Sequence, residues 1–279
     1  MKPIFDPIQY KIVTKANWNI VAPDYHNNWA DQKIGPFKST TEIVKLAEIR
    51  PNDKVLDVAC GTGVVSKEIS QLLDDGFLIG IDLSRTALEI ARRGIFLPKV
   101  NFVEMDAENL GFNFKFDKIT CQYGLMFFPN SGNVLKTLRE ILTSNGKIVV
   151  AVHGLQDEVP YFSVIMKSIL KHIPDIRPEG TPTVHRFGHP EQLKLELSRA
   201  GFSDIEIAKY EFSYEPGTFE EYWEDYMLST ANSIKSKIES HGQQIMDSIK
   251  HDAKKNALEY ERNGKLFFPW TILIASGFN

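Results

Sequence analysis

From Lys54 onward, short apolar runs alternate with stretches whose apolar residues recur at helical spacing. Val55–Ala59, Phe77–Asp82, Val100–Met105, Phe116–Cys121 and Lys147–Val152 read as five buried strands. Between them, Val65, Ile69, Leu72 and Leu73 share one helical face, and Ser84 is placed to cap a helix that ends at Gly94. Val134, Leu135, Leu138, Ile141 and Leu142 form another stripe, stopped by Asn145–Gly146. Strand and helix in strict alternation predict an α/β fold, a parallel sheet with helices on both faces.

The flanks follow a different rhythm. Residues 1–50 read as helical and irregular, with Trp18, Tyr25 and Trp29 set among polar residues and an amphipathic helix at Thr41–Ile49. After residue 153 comes a helix at Phe162–Ile173, then a Pro- and Gly-containing segment up to Pro182, longer than a crossover requires. Glu191–Ala200 reads as a helix, Asp204–Phe212 as a strand and Phe219–Tyr260 as helical. Phe267–Ser276 reads as a last strand, its proline near the start, where it is tolerated. The charged run Glu220–Asp225 reads as a solvated helix face that leaves Tyr222 and Trp223 free to turn inward.

Composition narrows the class. In 279 residues, 43% are hydrophobic and 24% charged, which excludes a disordered chain, a collagen-like repeat and a small disulfide scaffold. A net charge of −4 argues against a general nucleic-acid binder. Cys60 and Cys121 are too few for a disulfide framework or a cysteine zinc site and read as small buried thiols. His185 and His189 are four residues apart but straddle Gly188 before Pro190, so they do not share a helix, and no metal is expected. No apolar stretch approaches the roughly 20 residues of a membrane span, and no signal peptide opens the chain; the expectation is a cytoplasmic protein.

The chemistry concentrates where the first strand meets the first helix, at Asp57-Val-Ala-Cys-Gly-Thr-Gly63. Glycine there lets backbone approach a ligand, and ligands of open α/β sheets bind at the carboxyl ends of the strands. Asp82 ends the second strand, 19 residues after Gly63, and suits a carboxylate that accepts from ribose hydroxyls. Asp106 follows the third strand and suits an adenine amino group, with the Ala107 N–H donating to the ring. Two cofactors compete. Gly61-Thr-Gly63-Val-Val-Ser66 is close to a dinucleotide fingerprint, but a pyrophosphate beside Asp57 is unfavourable by about 1 kcal/mol or more. S-adenosylmethionine brings an ammonium and a sulfonium, which an acidic wall favours.

Val55-Leu-Asp-Val-Ala-Cys-Gly-Thr-Gly63 resembles the first motif of the class I S-adenosylmethionine-dependent methyltransferases, nearest to the subgroup of small-molecule and quinone-biosynthesis enzymes. Gly80–Ser84, Phe102–Ala107, Phe116–Cys121 and Leu138–Val150 continue the likeness in order and spacing over about residues 50–153. Ala59, where many members have glycine, and Thr143-Ser-Asn-Gly146, where Lys-Pro-Gly-Gly is common, depart from the pattern. The resemblance implies a Rossmann-like three-layer sandwich. Its mostly parallel sheet would have seven strands, the last antiparallel and inserted between the fifth and sixth, with an added helical cap. It implies S-adenosyl-L-methionine as cofactor and S-adenosyl-L-homocysteine as product. The cofactor residues it implies are Asp57, Ala59, Gly61, Gly63, Asp82, Leu83, Asp106, Ala107 and Gln122. It also implies an N-terminal segment folded over the cofactor, bringing Tyr25 and Trp29 to the donor or the pocket; packing on outer helices is the alternative. The whole chain reads as one domain: 1–50 over the cofactor, 51–153 the cofactor core, 154–187 and 216–262 a substrate-side cap, and 188–215 with 263–279 the rest of the core.

For catalysis, His153 follows the fifth strand and is the candidate base or substrate-orienting group; a loop histidine bonded to backbone is the alternative. Phe127 and Phe128 are candidates for the acceptor pocket or for plain core, and His26 and His185 are further pocket candidates. His189 reads as a helix cap or surface residue. The expected activity is methyl transfer to a small-molecule acceptor, with no nucleic-acid partner. The alternatives are a non-catalytic S-adenosylmethionine-binding module and a nicotinamide-dependent oxidoreductase.

Overall fold

The computed structural model describes residues 4–279. The strands are β1 (Lys54–Val58), β2 (Phe77–Asp82), β3 (Val100–Glu104), β4 (Phe116–Gln122), β5 (Leu142–His153), β6 (Ser203–Gly217), β7 (Glu261–Arg262) and β8 (Lys265–Phe278). They form one sheet in the order β3-β2-β1-β4-β5-β8-β6, and the two-residue β7 pairs only with β8. β1 to β5 run parallel, whereas β8 is antiparallel to both β5 and β6. The last long strand is thus inserted between the fifth and sixth, as expected, and β7 is an eighth strand that no apolar run announces. β6 and β8 are longer than their apolar cores suggested, because their ends pair as far as Tyr214↔Phe268 and Gly217↔Leu266.

The order reverses at β1, with β2 on one side and β4 on the other, which opens a crevice above their carboxyl ends. α3 (Val64–Ser70) and α4 (Arg85–Gly94) leave these ends. Helix starts follow local side chains. Asp6 caps α1 (Pro7–Tyr25) by accepting from Ile8 N–H (2.9 Å) and Gln9 N–H (3.1 Å), and Ser84 caps α4 through Ala87 N–H (3.1 Å). α1 passes into a π-helical turn, His26–Ala30, that buries Trp29. α2 (Thr40–Ala47) lies against β4 and β5.

α5 (Ser131–Glu140) and α7 (Pro190–Arg199) flank the sheet, and α6 (Pro160–His172) packs on β8. The long helical stretch is three helices: α8 (Phe219–Asp225), α9 (Asn232–Glu239) and α10 (Gln243–Ala257), with a π turn at Tyr226–Thr230. A Thr218–Glu221 capping box starts α8. Glu220, Glu221 and Glu224 face solvent while Tyr222 and Trp223 are buried. Asp225 departs from the solvated reading: it accepts from Tyr161 Oη (2.5 Å) and Trp29 Nε1 (3.2 Å), linking α8 to α6 and the N-terminal segment. Trp29, Tyr161, Tyr214, Tyr222, Phe268 and Trp270 surround this link as an aromatic core.

One close approach fixes the floor of the crevice. Ala59 holds φ 53°, a conformation that costs an L-residue about 1–2 kcal/mol and that glycine adopts freely. A Cβ on Gly124 would lie 2.6 Å from Ala59 Cβ and 2.8 Å from Cys121 Sγ. Gly124→Ala is therefore expected to destabilise the protein by about 1–3 kcal/mol in urea unfolding, and the added change Ala59→Gly to recover part of the loss.

Candidate functional site

A cavity of about 490 Å³ opens over the carboxyl ends of β1, β2 and β4. Its floor is the turn after β1. Gly61 has φ 53°, and a Cβ there would meet nothing within 4 Å, so the backbone faces open space. Gly63 (φ 87°) answers a different need: its Cβ would lie 3.0 Å from Ala91 Cβ, so its small size serves the packing of α3 on α4 rather than the cavity wall.

The acids sit as the strand ends dictate, with distinct partners. The Asp82 carboxylate accepts from Gly61 N–H (2.9 Å) and Ser84 N–H (2.8 Å), joining the turn after β1 to that after β2. Burial pushes its pKa up, and those backbone donors restrain the rise. Asp57 is buried within β1 and accepts from Ser66 Oγ (2.6 Å) and Thr120 Oγ1 (2.8 Å). Desolvation lifts its pKa to about 6 despite both hydroxyls. Asp57 thus braces β1, α3 and β4, while its residue still lines the cavity. Asp106 accepts from Glu108 N–H (2.9 Å) and pairs with Lys11 Nζ (2.6 Å), which also reaches Glu108 (2.9 Å). Leu83 and Ala107 complete this end.

The other end is aromatic and apolar, lined by Tyr25, Trp29, Phe127, Phe128, Phe162 and Val184 among others. Gln122 lies between the two ends, its amide donating to Ser39 Oγ (3.1 Å) and Thr40 Oγ1 (3.2 Å). His153 also lines the cavity, stacked on Tyr123 with centroids 4.4 Å apart. The indole N–H of Trp270 donates to His153 Nδ1 (3.3 Å), so the neutral ring carries its proton on Nε2. Burial holds the His153 pKa well below the ordinary value, with His185 adding to the effect. The ring is a neutral donor at Nε2, which makes orientation rather than proton abstraction its available role.

Of the expected site residues, Asp57, Ala59, Gly61, Asp82, Leu83, Asp106, Ala107, Gln122, Tyr25, Trp29, His153, Phe127 and Phe128 meet around this cavity. His26 and His185 stand off its wall. His26 Nδ1 bonds Thr62 Oγ1 (2.9 Å), tying the N-terminal segment to the glycine turn. His185 Nδ1 donates to Gly154 O (2.9 Å) behind Phe162. Sequence reasoning missed Lys11, Tyr10, Tyr123 and Phe162. Only Tyr123, next to Gln122 beyond a strand end, carried a positional signal.

A family profile described as a methyltransferase domain matches residues 49–185. A demethylmenaquinone methyltransferase of Staphylococcus saprophyticus is 26% identical over 206 residues, spanning 69% of this chain and 84% of that protein. The chain is an S-adenosylmethionine-dependent methyltransferase. A ubiquinone/menaquinone biosynthesis C-methyltransferase of Wigglesworthia glossinidia brevipalpis is 28% identical over 131 residues, 45% of this chain and 51% of its own. The fold is shared with the YcgJ protein of Bacillus subtilis (TM-score 0.60, 19% identity, 87% of this chain and 98% of that one). It is shared too with a phosphoethanolamine N-methyltransferase of Haemonchus contortus, solved with S-adenosylhomocysteine (TM-score 0.62, 14% identity, 97% of this chain and 60% of that one). Among the described residues of the methyltransferase, no helix is long and apolar enough to cross a membrane.

The Asp57 pKa sets a pH dependence. Its folded value of about 6 lies above the ordinary 3.8, so the folded state binds the extra proton, and this group's contribution to stability falls as pH rises between those values. Relative to the wild type, Asp57→Asn is expected to gain stability progressively from about pH 4 to about pH 6 and then level off. Urea titrations across that range check it; a difference between the two proteins that does not vary with pH contradicts it.

Proposed function

We propose that this methyltransferase acts on a small, flat, apolar or aromatic acceptor, and that the acidic end of the cavity holds the cofactor. The observation that carries the reading is the division of one cavity between an acid-rimmed glycine floor and an aromatic wall. Asp82 holds the ribose hydroxyls, Asp106 and Ala107 read the adenine edge, Leu83 packs on the adenine, and the open backbone at Gly61 takes the methionine portion. Gln122, Tyr25 and Trp29 border that portion. The residues fit this ligand: the space above Gly61 accommodates a chain passing close to backbone, and Asp57, Asp82 and Asp106 favour a cation over a pyrophosphate. When bound, S-adenosylmethionine supplies a methyl group on positively charged sulfur.

The chain's own part is alignment and exclusion of water. Phe127, Phe128 and Phe162 sandwich the acceptor, and His153 orients a polar atom of it through Nε2–H. The Lys11–Asp106 pair bolts α1 over the adenine end. The names of the relatives, with their quinone-ring substrates, support an aromatic acceptor. The net charge of −4 supports an enzyme without a nucleic-acid partner.

Asp82→Ala is expected to weaken S-adenosylhomocysteine binding by about tenfold or more in calorimetric titration while the circular dichroism spectrum is unchanged; equal affinity refutes the ribose role. With radiolabelled donor and a panel of short-chain naphthoquinols, benzoquinols and phenols, the wild type is expected to label at least one. His153→Ala is expected to lower turnover by about tenfold with donor affinity unchanged. Tight donor binding with no labelled product across the panel favours a non-catalytic binding module.

A further inference from the structure

α1 roofs the cavity with one face and leaves another face bare. Tyr10, Thr14, Asn17, Trp18, Ala22 and Tyr25 line the cavity from the inner side. The exposed residues from Ile8 to Pro23 are Ile8, Gln9, Ile12, Val13, Ala16, Ile20 and Pro23. None is charged, and Gln9 alone is polar. The exposures are 70% for Ile8, 58% for Ile12, 40% for Val13 and 66% for Ile20, far from the burial such side chains normally find. Ile8, Ile12, Ala16 and Ile20 repeat at i, i+4, so they form one ridge; from Ile8 to Pro23 the helix is about 22 Å long. Ile4, 90% exposed, extends the ridge beyond the helix start.

Charge and position narrow the kind of surface this ridge suits. In a chain of net charge −4, the stretch from Pro7 to Pro23 contains no acidic residue, and its two charged residues are Lys11 and Lys15. Both lysines lie at the flank and are held to the core by Asp106, Glu108 and Glu104. The ridge also runs into the cavity mouth, because Ile4, Gln9 and Val13 are exposed and line the cavity as well. A folded protein seated on the ridge would cover that mouth, whereas a lipid surface would bring an apolar acceptor to it. We propose that the outer face of α1 docks on a lipid bilayer surface, lying in the interface without spanning it. The choice of a lipid occupant rests on the reading of the cavity as an acceptor site, but lipid binding is measured without methyl transfer.

The test is flotation of the full chain with phosphatidylcholine vesicles, with and without phosphatidylglycerol. The wild type is expected to float with both, and because the ridge is uncharged, 0.5 M salt is expected to leave binding to phosphatidylcholine in place. The triple variant Ile8→Ser, Ile12→Ser, Ile20→Ser is expected to lose about tenfold or more of this binding. Its S-adenosylhomocysteine affinity should match the wild type, which shows the fold intact. Failure of the wild type to float, equal flotation of the variant, or a wild-type dimer in light scattering that the variant abolishes would each overturn the proposal. Loss of S-adenosylhomocysteine binding by both proteins with flotation intact would instead count against the cofactor reading alone.

Discussion

The site depends on one carboxylate that ties two turns together. Asp82 accepts the Gly61 N–H from the turn after β1 and the Ser84 N–H from the turn after β2. These two turns bound the crevice where strand order reverses. Without that link, the left-handed backbone at Ala59 and Gly61 has little reason to persist, and the floor of the cavity loses its shape. Burial raises the pKa of this carboxyl, and the two backbone donors of the link oppose that rise. A charge held this way at a strand end is suited to hydroxyl donors and to a nearby cation.

The rest of the molecule divides labour around that floor. Asp57 is spent on bracing β1 to α3 and β4, so it contributes field more than direct contact. Lys11 crosses from α1 to Asp106 and Glu108, which joins the roof to the acid-rimmed end of the cavity. Trp29 and Tyr161 converge on Asp225, joining the N-terminal segment, α6 and α8 into one wall. His153, neutral and stacked on Tyr123, sits where the strand β5 delivers it beneath that wall. Chemistry at such a site is done by holding two partners in line in a dry cavity, not by a strongly basic side chain.

The sheet was legible in the sequence because buried parallel strands are continuous apolar runs, and each was followed by a turn or a cap with its own chemistry. The acids were legible for the same reason: Asp82 and Asp106 stand at strand ends, whose position the pattern fixes. What stayed hidden is long-range. Lys11 is 95 residues from Asp106, and nothing local marks it as that carboxylate's partner. Asp225 lies in a run of exposed acids, yet its turn of helix faces Tyr161 and Trp29. Gly63 looked like its neighbour Gly61 in the motif, but one packs on Ala91 and the other faces open space. The histidines His26 and His185 share the composition of pocket residues and are consumed by hydrogen bonds to Thr62 and Gly154.

The central claim is that the acids at the ends of β1, β2 and β3 and the Gly61 turn form the seat of the cofactor. A crystal structure of the protein grown with saturating S-adenosylhomocysteine tests it most directly. The account predicts the ribose hydroxyls within hydrogen-bond distance of Asp82, the adenine beside Asp106 and Ala107, and the amino-acid portion over Gly61. Density for the ligand elsewhere, or a cavity still filled by the protein's own side chains at saturating ligand, would contradict it.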